Sequence, residues 1–129
     1  MTNEEAIRAL IDARVAALEA GDGAAAVADL APDIVAFEVA GPLITPSDQV
    51  LDVVAAEAWL QSFDGPIRVE IADLAIHVGG DVAFAHSLNR LVGSQGGQPI
   101  DFWMRSTLGF RRIDGEWKVV HAHTSIPRG

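Results

Sequence analysis

Trp103-Met104-Arg105-Ser106-Thr107-Leu108-Gly109-Phe110-Arg111-Arg112-Ile113-Asp114-Gly115-Glu116-Trp117-Lys118-Val119-Val120-His121-Ala122-His123 places a turn-forming Asp-Gly pair between two long runs of alternating apolar and polar residues. Asp114-Gly115 supplies the positive-φ residues of a tight turn, so the stretch reads as a β-hairpin. Working back from it, Gly93 to Gln98 separates Ile100–Arg111 from a further strand over Val82–Val92, and Gly79-Gly80-Asp81 separates that strand from one beginning at Ile67. In this earliest strand Ile67, Val69 and Ile71 share one parity while Leu74, Ile76 and Val78 share the other, which predicts a bulge near Ala72-Asp73. A bulged antiparallel meander is a bent sheet.

The chain before Ile67 reads as helical. Thr2-Asn3-Glu4-Glu5 forms a capping box, and Ile7, Leu10, Ile11, Val15 and Leu18 follow at helical spacing up to Gly21. Asp22 caps a second, alanine-rich helix to about Leu30, stopped by Pro32. A strand over Ile34–Val39 leads to a third helix from Pro46-Ser47-Asp48 to about Ser62, ended by Gly65-Pro66. Helices first and a meander after them give an α+β domain over residues 1–129, with the helices packed on a strongly curved antiparallel sheet around a small-molecule pocket.

Composition narrows the function. Apolar residues make up 50% of the 129, enough for one core, and mean hydropathy is +0.25. Nine basic against eighteen acidic residues give a net charge of −9, which disfavours phosphate backbones and anionic membranes, so no nucleic-acid or membrane partner is expected. Glu4, Glu5, Arg8 and Asp12 interrupt the first apolar positions, so no secretion signal is read there. The chain contains no cysteine, compatible with the expected cytoplasmic location.

Hairpin register brings the chemistry together. A symmetric Gly93–Gln98 loop sets His86 opposite Arg105, Leu88 opposite Trp103 and Arg90 opposite Asp101. For the last hairpin, a two-residue turn turns the terminal histidines away from Arg105. A three-residue loop, Ile113-Asp114-Gly115, sets His121 opposite Thr107 and His123 opposite Arg105 instead, and is preferred because it gathers polar groups on one side. His86, Arg105, His121 and His123, surrounded by Trp103, Thr107, Trp117 and Val119, then face the pocket. Phe102, Met104, Leu108, Phe110, Val120 and Ala122 form an apolar back face, which a second copy of the chain would cover.

Imidazoles transfer protons near neutral pH, and arginine stabilises carboxylates and oxyanions. The bland readings stand beside this one: histidines as core or interface groups, Arg105 neutralising a carboxylate, Arg90-Asp101 as a sheet pair, and Trp59, Phe63, Trp103 and Trp117 as core. Glu38 and Asp33 are available carboxylate partners. His121-x-His123 also has the spacing of two metal ligands on one strand face, but the fixed charge of Arg105 opposes a cation, so no metal and no cofactor is expected.

Gly115-Glu116-Trp117-Lys118-Val119-Val120-His121-Ala122-His123-Thr124-Ser125-Ile126-Pro127 resembles the SnoaL-like, ketosteroid-isomerase-like branch of the nuclear transport factor 2 (NTF2-like) superfamily. So do Phe63-Asp64-Gly65-Pro66-Ile67, Gly80-Asp81-Val82-Ala83-Phe84-Ala85-His86 with Asn89-Arg90, and Trp103-x-Arg105-x-Thr107. The resemblance implies a cone of about three helices closing a bent sheet around an apolar cavity, usually dimeric. It extends to isomerases, polyketide cyclases, dehydratases and non-catalytic binding or assembly domains. The chain has no tyrosine for a steroid-isomerase oxyanion hole, so a similar mechanism would need another donor, protonated histidine or Arg105; one of His121 and His123 would be base or acid, the other would orient it or bind oxygen, and Arg105 would stabilise the anion. The resulting expectation is a homodimeric protein binding a small, partly apolar molecule and acting without a cofactor, with His121, His123, Arg105 and His86 catalytic and Trp103, Thr107, Trp59, Phe63 and Glu38 contacting the ligand. A non-catalytic binding or assembly domain is the alternative.

Overall fold

A computed structural model describes residues 1–128. Helix α1 (Asn3–Glu19) begins with the expected capping box: Thr2 Oγ1 accepts from Glu5 N at 3.1 Å and Glu5 Oε1 accepts from Thr2 N at 2.9 Å. Asp22 caps α2 (Gly23–Val27), which stops earlier than expected because β1 (Leu30–Phe37) already starts at Leu30. The single third helix of the sequence reading is two helices, α3 (Ser47–Val50) and α4 (Val53–Gln61). Asp52 breaks it by accepting from Ala55 N at 3.1 Å, which makes it the cap of a new helix.

The strands β2 (Arg68–Gly79), β3 (Val82–Gln95), β4 (Gln98–Ile113) and β5 (Glu116–Ser125) form the meander, and β1 adds to its far edge in parallel with β5, giving the order β1-β5-β4-β3-β2. The expected bulge in β2 is present: register shifts between Ala72 and Ala75, with Asp73 at φ +55°.

Both later registers differ from expectation. The β3–β4 connection is a two-residue Gly96-Gly97 turn, so His86 lies opposite Thr107, Leu88 opposite Arg105 and Arg90 opposite Trp103. Two glycines at positive φ let the strands run on to Gln95 and Gln98, where the reading from sequence kept a six-residue loop. The shift is by two, so no side chain changes face, and Arg90 still reaches Asp101 diagonally through two hydrogen bonds of 2.8 and 2.7 Å. The β4–β5 turn is also two residues, pairing Ile113 with Glu116 and Phe110 with Val119. The extra residue enters later, at Val120, after which His121 lies opposite Gly109 and His123 opposite Thr107.

The helices cover the apolar face, and this reverses the predicted sides. Ile7, Leu10 and Ile11 of α1 pack with Leu30, Ile34, Ala83, Ala85, Phe110, Trp117 and Val119 into one buried cluster. Leu60 of α4 packs with Ile67 and Leu91 into a second, flanked by Leu18, Phe63, Phe102 and Met104. Phe102, Met104, Leu108 and Phe110, read as an outer face, are therefore interior, and Trp117 and Val119 are interior with them, separated from the histidines by the Val120 bulge.

Candidate functional site

The uncovered face carries the residues singled out from sequence. His86, Trp103, Arg105, Thr107 and His123 are exposed there and His121 is half-buried, so the expectation that they line the helix-covered pocket is corrected. The cause is simple: the apolar stripe of α1 covers the apolar face of the sheet, and alternation sends the other set outward. The six still share one side.

On that face two aromatic groups flank β4. His77 stacks on Phe84 at 4.7 Å, with His86 at 6.0 Å from His77. Across the strand, Phe37 meets His121 edge-on at 4.7 Å and His123 at 5.4 Å. Between them β4 contributes only Thr107 and Gly109, leaving a channel between two ridges. His121 Nδ1–H donates to the carbonyl oxygen of Val35 at 2.7 Å, which fixes the tautomer and leaves Nε2 as the free nitrogen. Arg105 Nε donates to Ser125 Oγ at 3.1 Å and has no carboxylate in ion-pair range, so a neutralising role for it has no partner among the described residues.

The other expected ligand contacts are elsewhere. Trp59 and Phe63 meet edge-on at 5.2 Å in the helical layer, on the far side of the sheet from the histidines. Glu38 lies just past β1, its Oε2 accepting from Thr45 Oγ1 at 3.2 Å, and Asp33 pairs with Arg111 at 3.5 Å. No group of three or more metal-ligating side chains converges among the described residues.

The interior holds a polar set that the sequence reading passed over. Ser87 and Asn89 of β3, Ser106 of β4 and Thr124 of β5 all point under the helices. Ser87 lies directly opposite Ser106, and Ser106 opposite Thr124. This band runs across the sheet between the two apolar clusters. Ser106 is buried, yet Ser87, Asn89, Thr124 and their apolar neighbours Ile71, Met104, Leu108 and Ala122 are only half-buried, so the helices leave the centre of the covered face open to solvent. Ser87 Oγ donates to Asn89 Oδ1 at 2.7 Å.

On α1, Arg14 lies between the residues that the helix gives to the two clusters, Ile11 on one side and Leu18 on the other. Arg14 Nε is buried and has no hydrogen-bond partner. Burial pulls its guanidinium pKa below the usual arginine value, while Asp29 pulls it back from beyond ion-pair distance. The signal was present in the sequence as a charged residue in phase with the apolar stripe Ile7, Leu10, Ile11, Leu18. Two surface hollows, of about 230 and 270 Å³, lie at the C-terminal end of α1 and include neither Arg14 nor any histidine.

Residues 7–129 match the sequence model of the SnoaL-like domain. No curated protein matches the chain. Among solved structures, an NTF2-like protein of unknown function from Pseudomonas putida is 34% identical and superposes with a TM-score of 0.84 over 100% of this chain and 91% of that one. A ketosteroid isomerase candidate from Shewanella frigidimarina is 25% identical, with a TM-score of 0.72 over 91% of this chain and 92% of that one. A dehydratase candidate from Streptomyces avermitilis, 16% identical with a TM-score of 0.82 over 98% and 97%, shares the fold.

Proposed function

The chain belongs to the SnoaL-like domain family of NTF2-like proteins, and we propose that it binds a small, partly apolar molecule beneath its helices while pairing with a second copy through the uncovered sheet face. The observation that carries the binding role is the half-open polar band of Ser87, Asn89, Ser106 and Thr124 dividing an otherwise apolar interior. A mainly apolar cavity with a few convergent polar groups is the usual form of a small-molecule site. A fluorescence titration with the neutral dye N-phenyl-1-naphthylamine tests it. The protein should enhance dye emission, Asn89→Trp should abolish the enhancement by filling the interior, and Trp103→Lys on the open face should retain it. The opposite pattern would move the site to the open face.

The second copy is argued from exposure and charge. Phe37, Phe84, Leu88 and Trp103 share the uncovered face and are 39%, 48%, 40% and 43% exposed, apolar surface that a second copy would cover. The centre of this face, from His77 through Phe84, Trp103, Arg105 and Thr107 to His121 and His123, carries no acidic residue in a chain of net charge −9. Two such chains repel least when they meet there.

A second reading keeps isomerase, cyclase or dehydratase chemistry on the histidines. What favours it is the Val35 carbonyl, which holds His121 with Nε2 free as a base beside His123. It requires a substrate in the channel over Gly109 on the open face, and turnover that His121→Ala removes and Asn89→Trp leaves intact.

A further inference from the structure

The covered face of the sheet carries the donors of the polar band, and α1, which packs on that face, carries Arg14. Glu19 accepts from Val69 N at 3.0 Å and Glu57 from Gly23 N at 3.0 Å, and neither forms an ion pair with Arg14. No acid lies within ion-pair distance of Arg14 among the described residues. Asn89 has its oxygen occupied by the Ser87 hydroxyl, which leaves the two N–H bonds of its amide to donate elsewhere, and the Ser106 hydroxyl lies one strand away on the same face. A buried N–H without a partner is costly to a folded chain, and a planar guanidinium is matched by a planar anion.

Resting on the reading that a small molecule occupies this interior, we infer that Arg14 is its anion-recognition residue and that the ligand is a compact apolar molecule bearing a carboxylate. The carboxylate takes the bare Nε–H and a neighbouring guanidinium N–H of Arg14 as a bidentate pair. The Asn89 amide and Ser106 hydroxyl are the next donors along the band. The apolar body lies over Ile71, Met104 and Leu108, the half-buried side chains on either side of it. The geometry also separates this arginine from two on the open face: Arg90 is paired with Asp101 and Arg105 Nε donates to Ser125, whereas Arg14 Nε is the buried side-chain donor left bare among the described residues.

Isothermal titration of the intact protein at pH 7 with naphthalene-2-carboxylate and its neutral isostere naphthalene-2-carboxamide tests the inference, with the Arg14 Nε–H resonance followed by NMR. The carboxylate should bind about tenfold or more tightly than the amide, the range that charge-assisted hydrogen bonds supply, and should shift the Nε–H signal. Arg14→Met should bring the ratio to about one, since it removes the charge-assisted contact that only the carboxylate makes, and Arg14→Lys should keep part of the preference. Equal binding of the two compounds by the unaltered protein, or a carboxylate preference that survives Arg14→Met, overturns the anion role and leaves the interior site standing. Failure of both compounds together with N-phenyl-1-naphthylamine removes the interior site itself. Should Arg14→Met not fold, Arg14→Gln and the NMR shift in the unaltered protein decide the same question.

Discussion

Replacing Arg14 by methionine should make the unliganded protein more stable. Methionine has nearly the length of arginine and no charge, and it would sit in the α1 stripe between Ile11 and Leu18, where apolar residues already pack. The change removes a buried cation whose Nε has no partner and forfeits only the long-range attraction of Asp29. Replacing a buried ion pair by apolar packing of similar volume is neutral to stabilising by about 1–4 kcal/mol, and a cation without a close partner has little Coulombic gain to lose. The lost Asp29 attraction and some accessibility of the guanidinium place the expectation near the middle, about 2 kcal/mol. With an unfolding entropy of about 2.1 cal/mol/K per residue, 2 kcal/mol corresponds to a rise in Tm of about 7 °C for a chain of this size. Calorimetry of both proteins at one fixed concentration is the assay, because a dimer's Tm depends on concentration. The increment should also change little between low and high salt, since a buried charge is poorly screened. A loss of stability of about 2 kcal/mol or more would show that Arg14 is well paired in the native state, and would refute this reasoning.

Three other outcomes follow from the geometry. Trp103→Lys should convert a dimer to a monomer in light scattering; an unaltered protein that is already monomeric at about 100 µM, well above the Kd of a stable homodimer, would refute pairing through this face. The Asp64 carboxyl is held below its usual pKa by the Gly97 N–H first, then the Ser94 hydroxyl and the Gly96 N–H, so its contribution is present above the unfolded carboxylate pKa and lost as pH falls through the lowered folded value. Asp64→Asn should therefore melt earlier at neutral pH and converge with the unaltered protein as pH falls below the lowered folded value; a gap independent of pH would show that the charge is not involved. A Cβ at Gly23 would come within 3.0 Å of the Glu57 backbone nitrogen and side chain, so Gly23→Ala should push α4 from α2 and cost about 1–3 kcal/mol by denaturant titration, whereas an unchanged midpoint would mean α4 shifts freely.

The sequence made much of the architecture legible. The Thr2 capping box, the parity slip in β2 and the Asp-Gly turn each have a local chemical cause, and each is present in the fold. The site was less legible, for two reasons. Alternation tells which side chains share a face, but not which face the helices cover; that is set by apolar area summed over α1, Phe110, Trp117 and Val119. The bulge at Val120 left no mark, because valine is an ordinary strand residue and the extra position needs neither glycine nor a positive φ. Arg14 was readable in principle, since its spacing from Ile7, Leu10, Ile11 and Leu18 placed it in the buried stripe, but a lone charge on an amphipathic helix is more often solvated.

The parallel pairing of β1 with β5 has a consequence for how the protein is made. Val35 meets His121 across 86 positions of chain, so the first strand to leave the ribosome waits for the last before its edge is closed. Until then the edge of Leu30–Phe37 that faces β5 is unpaired, with Ile34 and Phe37 beside it, and a nascent chain arrested before Glu116 would hold that edge open to any other strand nearby. The final ten residues of the sheet therefore act as a latch on biogenesis, and a chain that ends before them is expected to meet a chaperone or an aggregate rather than its own fold.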